Sequence, residues 1–148
     1  MSITYHSEGV KKPGLRYRCV SVWIKKVIDK FDFESGNLTY IFCDDEYLKS
    51  INSKYLNHDY YTDIVTFDYN KDKVISGDMF ISIERVKENA VLFHCNFTEE
   101  LLRVIVHGLL HLIGYKDSSE SEKAIMRKVE NDCIFMYKEL GDGCTKGI

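Results

Sequence analysis

Within the stretch His107-Gly-Leu-Leu-His111-Leu-Ile-Gly114-Tyr-Lys-Asp117, two histidines lie four residues apart inside an apolar, helix-forming run. Both rings therefore leave the same helix face, one turn apart. Gly114 can end that helix in a left-handed turn, after which the chain bends back to present Asp117. Two neutral imidazoles and a carboxylate, with room for water, form the donor set expected of a catalytic zinc or a similar divalent ion. The metal ligands read from the sequence are thus His107, His111 and Asp117. A structural ion usually has four protein ligands. No fourth histidine or cysteine lies nearby, and His6, His58 and His94 are distant along the chain. An open coordination position, and hence catalysis, is the expectation. The plainer reading, two histidines as ordinary core residues, accounts for neither the glycine nor the acid.

The spacing H-x-x-x-H-x-x-G-x-x-D is also that of the metzincin proteases, in which a glutamate directly after the first histidine is the general base. Here that position is Gly108, which has no side chain to take a proton. Glutamate-assisted peptide hydrolysis is therefore excluded at this site. Hydrolysis in which the metal itself acidifies a bound water is not.

The elements that must position these residues belong to a single unit. At 148 residues, 45% of them hydrophobic and with one proline, the chain fits one domain with a substantial core. Residues 1–140 are expected to form a single metal-dependent hydrolase domain, and residues 141–148 a flexible tail. The apolar run Val104 to Gly114 is too short to span a bilayer, and the N-terminus lacks the pattern of a secretory signal. Five scattered cysteines without a C-x-x-C pair read as reduced thiols. The net charge of −3 gives no global case for nucleic-acid binding. The opening segment, with Lys11, Lys12, Arg16, Arg18, Lys25, Lys26 and Lys30, offers a local basic face that could form part of a groove for phosphate.

Periodicity predicts strands at Ile3 to Ser7 and Asn37 to Cys43, with Ile64 to Tyr69 and Met79 to Ser82 β-rich and the Asn70 to Lys73 turn between them suggesting a hairpin that continues through Val74 and Ile75. Helices are predicted at Arg18 to Phe31, at Asp45 to Leu56 with Asp44 as cap, and at Ile83 to Phe93 with Ser82 as cap. The metal helix is predicted to start at a Thr98 cap and run to Ile113. Ser119 and Glu122 form a capping box for Glu120 to Leu140. The fold class is α+β, a small mixed four-stranded sheet packed with about five helices, with the metal site on the central, most buried helix.

Together these residues resemble a known family. His107-Gly-x-Leu-His111-Leu-x-Gly114-Tyr is similar to the signature of the YbeY family of bacterial rRNA-maturation endoribonucleases. Thr62-Asp-Ile-Val-Thr-Phe67 resembles that family's Thr-Asp-Val-Leu-Ser-Phe segment, and Gly77-Asp-Met-Phe-Ile-Ser82 its Gly-Asp-Ile strand. The resemblance implies a cytoplasmic enzyme holding one zinc ion and cutting single-stranded rRNA. Its place would be in 16S rRNA 3′ end maturation and ribosome quality control, with the small ribosomal subunit as partner.

Two positions depart from the family pattern. A third histidine is usual where this chain has Asp117. A carboxylate is an accepted zinc ligand, but its harder donor and negative charge lower the metal's Lewis acidity and admit other divalent ions. The family also carries an arginine where Tyr55-Leu56-Asn-His-Asp has Leu56, which can neither clamp a phosphate nor stabilise developing charge. Arg103, one turn before His107, and Lys116, beside Asp117, are the candidate catalytic substitutes. Arg103 could instead pair with Glu99. Asp63 and Asp78 also match family motifs and read as structural, with a bond to a metal-binding histidine as the alternative for Asp78. The rival function is a ribosome assembly factor with a mainly structural metal, which Leu56 keeps open. An unusual metalloprotease is disfavoured by Gly108.

Overall fold

Alternation of apolar residues in Leu38, Tyr40 and Phe42, and in Ile75, Met79 and Ile81, gives two strands one fully buried face each. The structure, a computed structural model, describes residues 2–58 and 60–145, with side chains to residue 141. The elements run β1 (Ile3–Ser7), α1 (Tyr17–Lys30), β2 (Glu34–Cys43), α2 (Asp45–Leu56), β3 (Ile64–Asp68), β4 (Val74–Ser82), α3 (Ile83–Leu92), α4 (Phe97–Ile113) and α5 (Glu120–Thr145). The four strands form one mixed sheet in the order β1-β2-β4-β3. β2 lies parallel to both β1 and β4, and β3 closes an antiparallel hairpin with β4.

The sheet has two unequal faces. On one, α1 and α4 pack against the strands and α5 lies across both helices. This layer holds the main core, built from Trp23, Ile24 and Ile28 of α1 with Leu101, Ile105 and Leu109 of α4. The indole Nε1–H of Trp23 donates to the Cys133 carbonyl at 2.7 Å and ties α1 to α5. On the other face, α2 covers a smaller cluster centred on Cys43, Leu48 and Val65. As the apolar run implied, α4 is buried along most of its length.

Local capping follows the expected chemistry with one correction. Asp44 accepts from the Tyr47 amide at 2.8 Å, and Ser82 from the Arg85 amide at 3.2 Å. Ser119 and Glu122 close their box in both directions, at 3.1 and 2.9 Å. The metal helix, however, is capped by Asn96, whose Oδ1 accepts from the Glu99 amide at 2.7 Å. Thr98 lies inside the first turn. Both residues can cap, and the extended backbone at Asn96 (φ −80°, ψ 161°) decides between them.

α5 continues past Leu140 to Thr145 across a kink at Gly141, whose φ of 41° and ψ of −135° are not helical. Residues 146–148 of the expected tail lie outside the described residues. Cys43, Cys95 and Cys133 are free thiols, whereas Cys19 is disulfide-bonded, which corrects the expectation that every cysteine is reduced.

Two glycines let α4 approach the sheet closely. A Cβ on Gly108 would lie 2.5 Å from Ile64 Cδ1, so the residue after the first histidine faces the strands rather than the metal site. A Cβ on Gly77 of β4 would lie 2.6 Å from the Phe67 carbonyl oxygen and 3.1 Å from Leu112 Cδ1 of α4. The first contact is with backbone and cannot relax by a rotamer change. Gly77→Ala is therefore expected to destabilise the fold by about 1–3 kcal/mol. Urea denaturation measures this, and an unchanged midpoint would contradict the packing described.

Candidate metal centre

His107 and His111 project from one face of α4, and Asp117 returns to them from the loop before α5. Gly114, at φ 124°, makes the return possible; its amide and that of Tyr115 both donate to the Leu110 carbonyl at 3.0 Å. The Leu112 carbonyl at the same helix end accepts from Asn70 Nδ2 at 2.7 Å, so the β3–β4 turn also fixes this corner. The His107 and His111 Nε2 atoms are 2.9 Å apart, and Asp117 Oδ2 stands 3.2 and 3.5 Å from them. Tetrahedral ligands at 2.0–2.2 Å from zinc are about 3.3–3.6 Å apart. The triangle is thus slightly tight for three corners of such a site, with the fourth corner open. Among the described residues, these three form the one group of metal-type donors close enough to share an ion.

The tautomers agree with this use. His111 Nδ1 lies 3.0 Å from the Tyr115 carbonyl, which can only accept, so Nδ1 carries the proton. His107 Nδ1 lies 2.5 Å from Glu130 Oε2 and donates to it in the same way. With both Nδ1 atoms protonated, the two Nε2 lone pairs point at each other. A proton on one nitrogen or a metal ion shared by both relieves that arrangement, and with Asp117 beside them the donor set fits a metal ion.

Glu130 contacts His107 in the site, and the sequence reading did not single it out. It lies on α5 with its side chain only 6% exposed, and its other oxygen, Oε1, is 3.3 Å from Arg103 Nη1 and 3.8 Å from Arg127 Nη1. Burying that carboxylate alone would cost several kcal/mol, and the arginine and histidine partners offset the penalty. Arg103 also donates to Asn131 Oδ1 at 2.9 Å. Its partners are thus on α5 rather than Glu99, in a chain from Arg103 through Glu130 and His107 to the metal position. Burial draws the His107 pKa down. The hydrogen bond and charge of Glu130, with Asp63 and Asp117 adding to them, outweigh that effect and raise it above the ordinary 6.5.

Two clefts of about 510 Å³ each open from the centre, and Asp63, His107 and Asp117 line both. Asp63 accepts from Asn89 Nδ2 at 3.4 Å; burial raises its pKa, against the opposing charge of His107. It belongs to the site as well as to the turn. Asp78 lies on the sheet face opposite Gly77 and Met79, away from the histidines, which leaves it structural. Arg103 lines one cleft, and Leu56 and His58 line the other. Lys116 is exposed and lines neither. Of the distant histidines, only His58 reaches these clefts. None of the lining residues comes from the basic opening segment; Lys25 and Lys26 border a separate cleft.

A mixed sheet carrying a two-histidine helix, a glycine turn and a returning carboxylate defines a single-domain α+β protein with a candidate metal centre of the catalytic type. The family model described as endoribonuclease YbeY matches residues 9–138. A curated relative from Parabacteroides distasonis, named endoribonuclease YbeY, is 45% identical over 139 residues, covering 94% of this chain and 98% of its own. Another of that name, from Flavobacterium johnsoniae, is 50% identical over 115 residues, covering 78% and 83%. The solution structure of TM1509 from Thermotoga maritima superposes with a TM-score of 0.62 at 23% identity, covering 96% of this chain and 95% of that one, and shares the fold. The chain belongs to the endoribonuclease YbeY family.

Two outcomes follow from the geometry. Glu130→Gln, which keeps the side chain's shape but removes its charge, is expected to weaken Zn²⁺ binding about 10–100-fold. Competition with a chromogenic chelator reads this, and unchanged affinity would show that Glu130 does not orient His107. In metal-free protein, the folded state holds the His107 proton more tightly than the unfolded state does. Stability is therefore full below about pH 6.5 and falls as pH rises through the raised value. Thermal melts of metal-free protein from about pH 6 to about pH 8 should show a declining Tm; a rising one would reverse the assignment.

Proposed function

We propose that this chain is a zinc-dependent, single-strand-specific endoribonuclease that acts in the cytoplasm on the 16S rRNA 3′ end, in association with the small ribosomal subunit. Membership of an endoribonuclease family supports the reaction class. The observation that carries the reading is the convergence of the two Nε2 atoms and Asp117 where two open clefts meet. No described helix is long and apolar enough to cross a membrane.

His107, His111 and Asp117 would hold the ion, which when bound supplies Lewis acidity toward a phosphodiester oxygen or a water. Glu130 keeps the His107 Nδ1 proton in place and so keeps Nε2 available to the metal. Asp63, half-buried with a raised pKa, faces both clefts and can accept a proton from an attacking water or from an RNA 2′-hydroxyl. Lys123 and Arg127 line one cleft, where a phosphate backbone would meet positive charge. Arg103 serves by holding Glu130, since its guanidinium is already committed on α5.

The assembly-factor reading retains one supporting observation: Leu56 lines the cleft where a phosphate-binding arginine would serve catalysis. Cleavage of a single-stranded 16S rRNA 3′-end fragment separates the two. Zn²⁺-loaded wild type is expected to cut it, and folded His111→Ala, or wild type with a chelator, is expected to leave it intact. No cleavage by wild type, even with the small subunit added, together with equal rescue of ribosome maturation by both proteins, would favour the assembly role.

A further inference from the structure

The two clefts that meet at the metal centre each lead to an exposed aromatic ring. One passes between the end of α3 and the start of α5 to Phe93, which is 50% exposed. The other follows the segment after α2 to Tyr60, which is 54% exposed. Each ring already has one π partner. The Arg127 guanidinium lies 5.8 Å from the centre of Phe93, and the His58 ring stacks on Tyr60 at 5.3 Å with 22° between planes. The shared floor is acidic, through Asp63 and Asp117, and would repel a phosphate unless a cation occupies the centre. Outside it, the Phe93 cleft carries Lys123 and Arg127 beside Glu120, and the Tyr60 cleft carries His58.

We propose that this surface is a dinucleotide clamp: one base stacks on Tyr60, the next on Phe93, and the phosphodiester between them is held at the metal centre. The proposal rests on the endoribonuclease reading and deepens it. An aromatic face accepts any base, because every base has a π surface, so such a clamp selects the state of the strand rather than its sequence. In a duplex both faces of a base are already stacked, and two neighbouring bases cannot splay into opposite clefts. Single-strand preference then follows from where the two rings stand, without base-edge hydrogen bonds. Arg127 and His58, each already packed on one of the rings, meet the flanking nucleotides.

The test uses Zn²⁺-loaded protein and a single-stranded oligoribonucleotide carrying 2-aminopurine, with fluorescence read on mixing, before turnover. Wild type is expected to quench the probe. Tyr60→Leu and Phe93→Leu are each expected to weaken binding about tenfold, and the double variant about a hundredfold, while Phe93→Trp keeps wild-type affinity. The same sequence as a duplex should bind weakly and equally to all of them. Both rings are exposed, so the substitutions leave the core intact, and the tryptophan variant separates loss of stacking from loss of fold. Wild-type affinity in both leucine variants would overturn the clamp and leave the endoribonuclease reading standing, with Phe93, Val91 and Leu92 then a surface for another macromolecule. Equal losses for duplex and single strand would also overturn it. No RNA binding by wild type would remove both readings.

Discussion

Two imidazole nitrogens held 2.9 Å apart, each with its lone pair facing the other, set the terms for the rest of this molecule. Nothing in an isolated helix would keep them there; the rings would rotate away or take up a proton. Rotation is blocked at both outer nitrogens, by the Tyr115 carbonyl on one side and the Glu130 carboxylate on the other. The helix itself cannot shift, because its apolar face is sunk into the main core and two glycines bring it against the sheet. The convergence of the two nitrogens is thus held by the same packing that holds the fold.

The electrostatic balance around this point is made between α4 and α5. Glu130 lies near three groups that are or can be positive, Arg103, Arg127 and His107, and all three also border the cleft. Removing one partner of such a buried set costs about 3–5 kcal/mol, far more than a surface ion pair is worth. That difference is what holds the Arg103 guanidinium on Glu130 and Asn131 at the cleft wall. Lys123 and Arg127, more exposed and held by longer contacts to Glu120 and Glu130 at 3.9 and 3.8 Å, are the cleft cations more easily drawn to a ligand.

How much of this was legible in the sequence depended on how local the determining interactions are. The proximity of His107, His111 and Asp117, the Gly114 turn and the caps at Asp44, Ser82 and Ser119 rest on contacts within a few residues, and spacing alone disclosed them. The Asn96 cap was missed because Thr98, two positions on, offers the same chemistry. Glu130 was invisible for a different reason. It lies 23 residues after His107, in a helix rich in acids, and nothing local says which acid turns inward. The basic opening segment misled in the converse way: its charges cluster in sequence, but α1 packs on the far side of α4 from the clefts. Phe93 and Tyr60 read as two aromatics among many until the fold placed them in two clefts that share Asp63, His107 and Asp117.

The order in which the site's parts appear along the chain has a further result. Both histidines belong to α4, but the third ligand, the carboxylate that aligns the first histidine and one wall of a cleft all come from Asp117 onward. A chain emerging from synthesis carries both histidines while still lacking Asp117, Glu130 and the α5 residues that complete the core over α4. Only the docking of the last helix, pinned by Trp23 to the first, completes it. An RNA-cutting centre built this way stays inert on a half-made chain and arms itself when the final helix has closed over the core.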